Sequence, residues 1–381
     1  MMQRIAYVTA YDPADVHEWS GSGYYIQRCL ETQGFTVDTV SQLKRNVTVV
    51  HRLKKAFYRF VRGQRFSIER EPAIAKGYAR QVERRMKTLE ADAIFSPGTL
   101  PVAFLERAEP IVTWTDSTFE RMLDFYPGYF DLCNETIQKG HYIEKAALQR
   151  CRFAIYSSEW AAQSAVRFYG ADPDKVRVVP FGANLECNRS PADIQSLASN
   201  KTGSTCRLLF AGVDWQRKGG NTAFAVAKHL NEIGLPTELW VAGCEPQITR
   251  PYPDYVKAYG FISKSTLEGR QRMNDLFSKA HFFIMPSVAE AYGLVLCEAG
   301  SFGLPCLATD VGGIPTIIKN GVNGHTFSPR ATVGEYANYV VETFTNRERY
   351  LELSQTSFER YETTLSWKAA GRAIKKICDE I

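Results

Sequence analysis

Short apolar runs alternate with longer segments of helical spacing along nearly the whole chain. Ile5–Thr9 is the first run, followed by a Ser/Gly loop and a helical stretch near Tyr24–Gln33. Gly34 stops that helix, and Thr36–Val40 predicts the next strand. Ala93–Ser96, Ile111–Thr115, Phe153–Ser157 and Val176–Pro180 continue the series. Strands separated by helices imply parallel β-α-β units and a doubly wound α/β sheet. Around Asn188–Ser204 the chain turns polar and poor in strand formers, which predicts a linker. Beyond it Arg207–Ala211, Glu238–Ala242, Val256–Phe261, Phe282–Pro286 and Cys306–Thr309 predict a second parallel sheet. Trp367–Cys378 reads as a closing helix with Ser366 as its cap.

Composition narrows the class. At 381 residues, 45% apolar and 23% charged, the chain can bury two ordinary globular cores. A net charge of +5 favours acidic ligands such as phosphates or anionic lipids, and falls short of a nucleic-acid binder. The nine cysteines include no C-x-x-C pair, which excludes the common zinc frameworks and suggests reduced thiols. The N-terminal apolar run is too short for a signal peptide, and no stretch approaches the ~18 apolar residues of a membrane span. The expected location is cytoplasmic. Aromatic residues make up 12% of the chain, enough for large cores and for platforms that stack sugars or bases.

The densest chemical signal runs from Met285 to Ala299. A buried strand ends at Pro286, a loop carries Glu290, and a helix is expected to begin near Tyr292. Glu298 follows Glu290 by eight residues. Were all eight helical, the carboxylates would be separated by about 12 Å of rise and about 80° of rotation. That spacing suits two hydroxyl-bearing ends of an extended ligand. It suits a glycosidase pair less well, because those carboxyls sit roughly 5–9.5 Å apart. Free N–H groups at the helix start, around Gly293 and Leu294, suit a phosphate. Taken alone, the two acids read equally well as a loop residue and a solvated helix residue.

A second cluster is Phe210-Ala211-Gly212-Val213-Asp214-Trp215-Gln216-Arg217-Lys218-Gly219-Gly220. A strand runs into a loop of adjacent cations and glycines, then a helix. Lys218 as a point charge and Arg217 as a fork would suit a diphosphate; a solvated basic turn is the plainer alternative.

In these residues the chain resembles the family-4 glycosyltransferases of the two-domain GT-B fold, whose hallmark is E-x7-E after a strand. Phe302-Gly303-Leu304-Pro305, Thr309-Asp310-Val311-Gly312-Gly313-Ile314-Pro315 and Asn320-Gly321-Val322-Asn323-Gly324 extend the likeness over about forty residues. The resemblance implies two Rossmann-like domains facing across a cleft. Residues 1–187 would bind the acceptor, with helix 366–381 packing back on them, and 188–365 would bind a nucleotide sugar. It implies that Glu290 holds the donor sugar's hydroxyls, Glu298 the ribose hydroxyls and Lys218 the diphosphate. Val213 stands where the family carries Arg, and Arg217 is taken as its replacement. Thr316 stands where the family often has Glu.

Gly260-Phe261-Ile262-Ser263-Lys264 resembles the family's segment beside the base, which assigns Phe261 and Ile262 to the donor. Gly21 and Ser22, in Trp19-Ser20-Gly21-Ser22-Gly23-Tyr24, would approach the donor phosphates. Trp114-Thr115-Asp116-Ser117 lacks the histidine that many relatives place here, so Asp116 is taken as the group that contacts the transferred sugar; His17 is a lone loop histidine nearby in sequence. Val179-Pro180-Phe181-Gly182-Ala183-Asn184 marks the approach to the second domain.

The function implied is transfer of a hexose, with retention, from a nucleotide diphosphate sugar to a saccharide or lipid-linked acceptor. UDP-glucose is the first choice of donor and GDP-mannose the second. No metal and no cofactor are expected. A nucleotide-sugar epimerase or hydrolase and a silent sugar-nucleotide sensor are the rivals. Asp172-Pro173-Asp174 spells a D-x-D but sits where a turn should precede a strand. Lys44–Arg70 holds nine Lys/Arg and one acid, Glu69, with Leu53, Phe57, Phe60 and Val61 at stripe spacing. A solvated helix flanking the acceptor site is the favoured expectation for this segment; peripheral contact with an anionic membrane at its inner face is the other.

Overall fold

In the computed structural model, which describes residues 3–201 and 203–381, twelve parallel strands form two sheets. β1 (Arg4–Val8), β2 (Thr36–Val40), β3 (Ala93–Ser96), β4 (Ile111–Thr115), β5 (Cys151–Tyr156) and β6 (Val176–Val178) lie in the order β2-β1-β3-β4-β5-β6. β7 (Cys206–Ala211), β8 (Thr237–Ala242), β9 (Val256–Ala258), β10 (Phe282–Met285), β11 (Cys306–Thr309) and β12 (Gly324–Phe327) lie in the order β12-β11-β10-β7-β8-β9. Most of these strands are apolar on both faces because helices cover both sides. In β10 all four residues are buried, whereas two of the three in edge strand β9 are exposed.

The chain divides into two units, Met1–Pro180 with Ala370–Ile381, and Phe181–Ala369. The first sheet's core includes Ala6, Val8, Ile94, Ala154 and Tyr156, with Val82 from the helix Pro72–Met86 packed on it. The helix Trp367–Cys378 straddles the division; Ser366 Oγ caps it by accepting the Ala369 N–H at 3.1 Å. From Ala370 onward it packs in the first unit, with Ile374, Ile377 and Cys378 buried and Lys375 Nζ 3.4 Å from the Gln33 carbonyl.

The second unit opens with an aromatic corner. Gly182 lies so close to Trp367 that a Cβ there would sit 2.2 Å from the Trp367 nitrogen. Phe181 stacks on the Trp367 ring at 5.8 Å, and the indole N–H donates to Asn184 Oδ1 at 3.0 Å. The segment Phe181–Asn184 is thus built into the second unit's packing. The division falls at Pro180/Phe181, ahead of the 187/188 position expected from composition.

Two expectations need correction. The polar stretch 188–204 contains the helix Pro191–Ser199, which starts with a capping box between Ser190 and Asp193 and buries Ile194 and Ala198. Ser190-Pro191-x-Asp193 ahead of Ile194 is a helix-start signal, outweighed in the sequence by the surrounding polar residues. β12 was not anticipated either. It is short and half-polar, and its Gly324 (φ 141°) lies where a Cβ would meet the Cys306 carbonyl oxygen at 1.9 Å.

The amino-terminal edge of the second sheet carries a cationic cluster that folding has to accommodate. Lys201 is buried with Nζ 3.4 Å from Tyr350 Oη, and Arg207 and Arg347 lie near enough to act on its charge. Burial, then those two guanidinium groups, push the Lys201 pKa down to about 7. Burial, then Arg207 and Lys201, push His281 down to about 3. An unfolded lysine keeps its proton to about pH 10.4. Between about pH 7 and 10.4 Lys201 therefore binds more protons in the unfolded state than in the folded one, and its contribution to stability rises with pH. His281 acts with the same sign between about pH 3 and 6.5, so its share is lost as pH falls. Above about pH 8.5 seven thiols that burial pushes up, Cys206 and Cys297 among them, act with the opposite sign. Lys201→Met should therefore have the higher urea midpoint at pH 7, with an advantage over the native chain that shrinks towards pH 9.5; an advantage independent of pH would contradict the assignment.

Candidate active site

In the second sheet the strand order reverses direction between β7 and β10, whose registers pair Phe282 with Leu208 and Phe283 with Leu209. Ligands of doubly wound sheets bind at the carboxyl ends of strands at such a switch point. Two loops leave there. One runs from Gly212 to Gly219 into the helix Gly220–Glu232, and the other from Pro286 to Gly293 into the helix Leu294–Gly300.

The loops are locked to each other through their backbones. The Val288 N–H donates to the Arg217 carbonyl at 2.8 Å. Gly219 adopts φ 79°, and a Cβ there would lie 1.9 Å from the Pro286 carbonyl oxygen. Only glycine satisfies both the left-handed backbone and the close approach. Within the first loop, Asp214 Oδ1 accepts the Arg217 N–H at 3.0 Å, and the Asp214 carbonyl accepts the Lys218 N–H at 3.0 Å. Trp215, fully buried, fills the space that Gly220 leaves open.

That lock brings the predicted charges together. Glu290 is buried and its Oε2 accepts from both Lys218 Nζ and Arg217 Nη1, the latter at 3.2 Å. Arg217 Nη1 also donates to the Ala289 carbonyl at 3.0 Å, and its Nε lies 3.5 Å from Asp214 Oδ2. The guanidinium therefore braces both loops. Lys218 Nζ has one further neighbour, Met285 Sδ at 3.7 Å. Val213 is exposed.

Glu298 sits on the second helix, 1% exposed. One carboxylate oxygen pairs with Lys264 Nζ; the other, Oε2, is buried without a hydrogen-bond partner among the described residues. A buried carboxylate oxygen left unmatched costs about 1–3 kcal/mol or more. In the sequence Lys264 carries no signal beyond its place in the loop after β9. The helix begins at Leu294, with Gly293 as a left-handed cap at φ 104°, two residues later than expected. Glu290 is accordingly a loop residue, and the all-helical separation from Glu298 does not apply.

Gly313, from the loop after β11, donates its N–H to the Glu290 carbonyl at 3.2 Å, and a Cβ there would meet the Ala291 carbonyl oxygen at 2.3 Å. Gly212, Gly243 and Gly260 link the loops after β7, β8 and β9: the Gly243 N–H donates to the Gly260 carbonyl at 2.8 Å, and a Cβ on Gly243 would lie 2.7 Å from the Gly212 carbonyl oxygen. Beyond Gly260, Phe261 is exposed and Ile262 buried, both outside β9. The D-x-D is a turn: Asp172 Oδ1 accepts the Asp174 N–H at 3.0 Å just before β6.

The first unit holds its own cluster. Trp19, Ser20 and Gly21 are consecutive left-handed residues (φ 47°, 55° and 81°) ahead of the helix Ser22–Thr32. Two of them are not glycine, and such conformations cost about 1–3 kcal/mol each. The Trp19 indole N–H donates to Asp116 Oδ2 at 3.1 Å, tying the loop after β1 to the end of β4. Tyr11 was missed by sequence reasoning. Its hydroxyl is buried without a hydrogen-bond partner among the described residues, and a Cβ on Gly23 would lie 2.5 Å from it. Burial, then Asp116 and Glu18, push its pKa up. His17 is exposed.

Residues 205–346 match the family model described as Glycosyl transferases group 1. The D-inositol 3-phosphate glycosyltransferase of Xylanimonas cellulosilytica is 31% identical over 182 residues, 45% of this chain and 43% of that protein. The match thus spans under half the length of that curated relative. Sucrose-phosphate synthase from Thermosynechococcus elongatus has the same fold, with a TM-score of 0.70 at 16% identity over 99% of this chain and 98% of that one. So does Anabaena HepE, solved in complex with UDP and glucose, with a TM-score of 0.62 at 15% identity over the whole of both chains. These structures show that the fold is of the GT-B type. Lys218, Glu290 and Glu298 all lie inside residues 205–346, the segment that matches the family model.

The two-loop lock is open to a direct test. Gly219→Ala should cost more than about 2 kcal/mol, since it adds a clash to an unfavourable φ. Gly234→Ala, also at positive φ (92°) but with nothing within 4 Å of its Cβ, should cost about 1 kcal/mol. Equal urea midpoints for the two variants would show that the close approach to Pro286 does not matter.

Proposed function

We propose that the protein transfers a hexose from a nucleotide diphosphate sugar, UDP-glucose before GDP-mannose, to a saccharide or lipid-linked acceptor with retention of configuration. The observation that carries this reading is the meeting of Lys218 and Glu290 from two different loops at the β7/β10 switch point. Loss of the nucleotide diphosphate develops negative charge, and the partly buried Lys218 ammonium, given up to the phosphates by Glu290, stabilises that charge. The helix Gly220–Glu232 starts directly after Lys218-Gly219, so its positive dipole end lies next to Lys218 in the chain and favours the same phosphates, while the Gly220 N–H itself donates to the Trp215 carbonyl at 2.8 Å. Glu290 is suited to accept sugar hydroxyls, and Glu298, with its unmatched Oε2, to accept ribose hydroxyls. In this assignment Gly293 and Leu294 line the donor. Phe261 and Ile262 lie by the base.

The choice of a UDP-sugar is supported by the ligands of Anabaena HepE. The named relative is an inositol-phosphate glycosyltransferase, which supports a polyhydroxylated acceptor. Transfer through Lys218 and helix N–H groups needs no divalent ion, and a donor phosphate oxygen is the assigned proton acceptor for the incoming hydroxyl.

Calorimetric titration of UDP-glucose, GDP-mannose and ADP-glucose in EDTA tests the donor site. One donor should bind selectively. Glu298→Ala and Lys218→Ala should each weaken it about 10- to 100-fold, the range for losing a charged hydrogen bond. Absence of binding, or binding indifferent to both substitutions, would refute the assignment. Release of free hexose or of an epimer, with no transfer across an acceptor panel, would favour the hydrolase or epimerase instead.

A further inference from the structure

The helix Val49–Val61 wears its apolar face outward. Val49, Val50, Leu53, Phe57, Phe60 and Val61 are 47–79% exposed. At 100° per residue these six fall within an arc of roughly 120°. Arg52, Lys55 and Arg59 form an exposed row on another side of the same helix. No Asp or Glu occurs between Lys44 and Ser67.

The remaining face is fastened to the body of the first unit. Thr48 and His51 close a capping box at the start of the helix. Lys54 Nζ pairs with Glu135, and Tyr58 Oη donates to Glu135 Oε2 at 3.0 Å. The Tyr58 ring stacks on Phe66 at 5.5 Å with the planes 2° apart. Lys139 bridges Glu135 at 2.6 Å and Glu71 at 2.9 Å. Burial pushes the Glu135 carboxyl up, but bonds from Lys139, Lys54 and Tyr58 outweigh it and hold its pKa at about 2. The clamp is therefore charged at neutral pH. The outward orientation of the stripe is imposed by the fold.

We propose that this helix docks the protein on an anionic lipid bilayer, its apolar stripe set among the acyl chains at the headgroup boundary and its cationic row on the lipid phosphates. Contiguous exposed apolar surface on one helix needs a partner, and the charge pattern selects which. A second copy of this face would bring two cationic rows together, whereas an anionic surface neutralises them. No helix among the described residues is long and apolar enough to cross a membrane, so the attachment is peripheral. This inference stands apart from the transfer chemistry.

Flotation with phosphatidylglycerol/phosphatidylcholine vesicles and with pure phosphatidylcholine vesicles is the test. Partitioning should be at least tenfold stronger on the anionic vesicles and fall as salt rises from 0.1 to 0.5 M. The triple variants Leu53→Ser/Phe57→Ser/Phe60→Ser and Arg52→Gln/Lys55→Gln/Arg59→Gln should each lose at least tenfold. Their urea midpoints should be unchanged, because every altered side chain is exposed. Absence of vesicle binding, or binding that survives either triple variant, would overturn the proposal. So would a concentration-dependent dimer in sedimentation that the serine variant abolishes while vesicles are ignored, because the occupant would then be a second copy.

Discussion

Parallel pairing of β7 with β10 forces the loops leaving their carboxyl ends into one space, and the rest of the candidate site depends on how they share it. Neither loop is long enough to avoid the other. The clash is resolved by a residue without a side chain at Gly219 and by the Val288-to-Arg217 backbone bond. With the backbones fixed, Glu290 meets Lys218 and Arg217 with little freedom left to lose. The third loop, after β11, closes on the same point through Gly313. Preorganisation here is a property of backbone contacts, and the charged side chains inherit it.

The two ends of the second sheet handle positive charge in opposite ways. At the carboxyl end, Lys218 and Arg217 share one buried carboxylate partner, Glu290. At the amino end, Lys201, Arg207 and Arg347 lie near one another, and the Lys201 ammonium is destabilised by burial and by its neighbours. Buried charge without a partner is costly, and neutralisation is the usual escape. Two cationic clusters thus lie at opposite ends of the same sheet, one with a carboxylate in ion-pair contact and the other, around Lys201, without one among the described residues.

Much of the fold was legible because a strand buried on both faces has no polar alternation to blur it; β3, β4 and β11 coincide with their apolar runs. What escaped was what composition hides. Pro191–Ser199 buries only Ile194 and Ala198, so a mostly polar helix passed for a linker. β12 is four residues long with a polar middle, too short for a period to register. In the site, Lys218, Glu290 and Glu298 drew notice by lying just after strands and near glycines, and their roles came from the family resemblance. Tyr11 and Lys264 did not, because a tyrosine near a first strand and a lysine in a loop are ordinary in sequence. Their significance lies in contacts between residues far apart in the chain, which local patterning does not encode.

The charge balance around Glu290 bears on how the proposed donor would enter. Arg217, Lys218, Glu290 and Asp214 sum to zero, so the loop pair has no excess positive charge of its own with which to attract a diphosphate. Lys218 is satisfied by Glu290 in the absence of a donor. A phosphate gains that ammonium only as Glu290 gives it up, and a carboxylate released inside a buried loop needs new donors at once. Sugar hydroxyls supply them. On this argument diphosphate and sugar have to be recognised together, since either alone leaves one half of the ion pair uncompensated. Glu298 is arranged similarly, with Lys264 holding one oxygen and the other left open for a hydroxyl. Selectivity for an intact nucleotide sugar over free nucleotide then follows from electrostatic accounting within two loops.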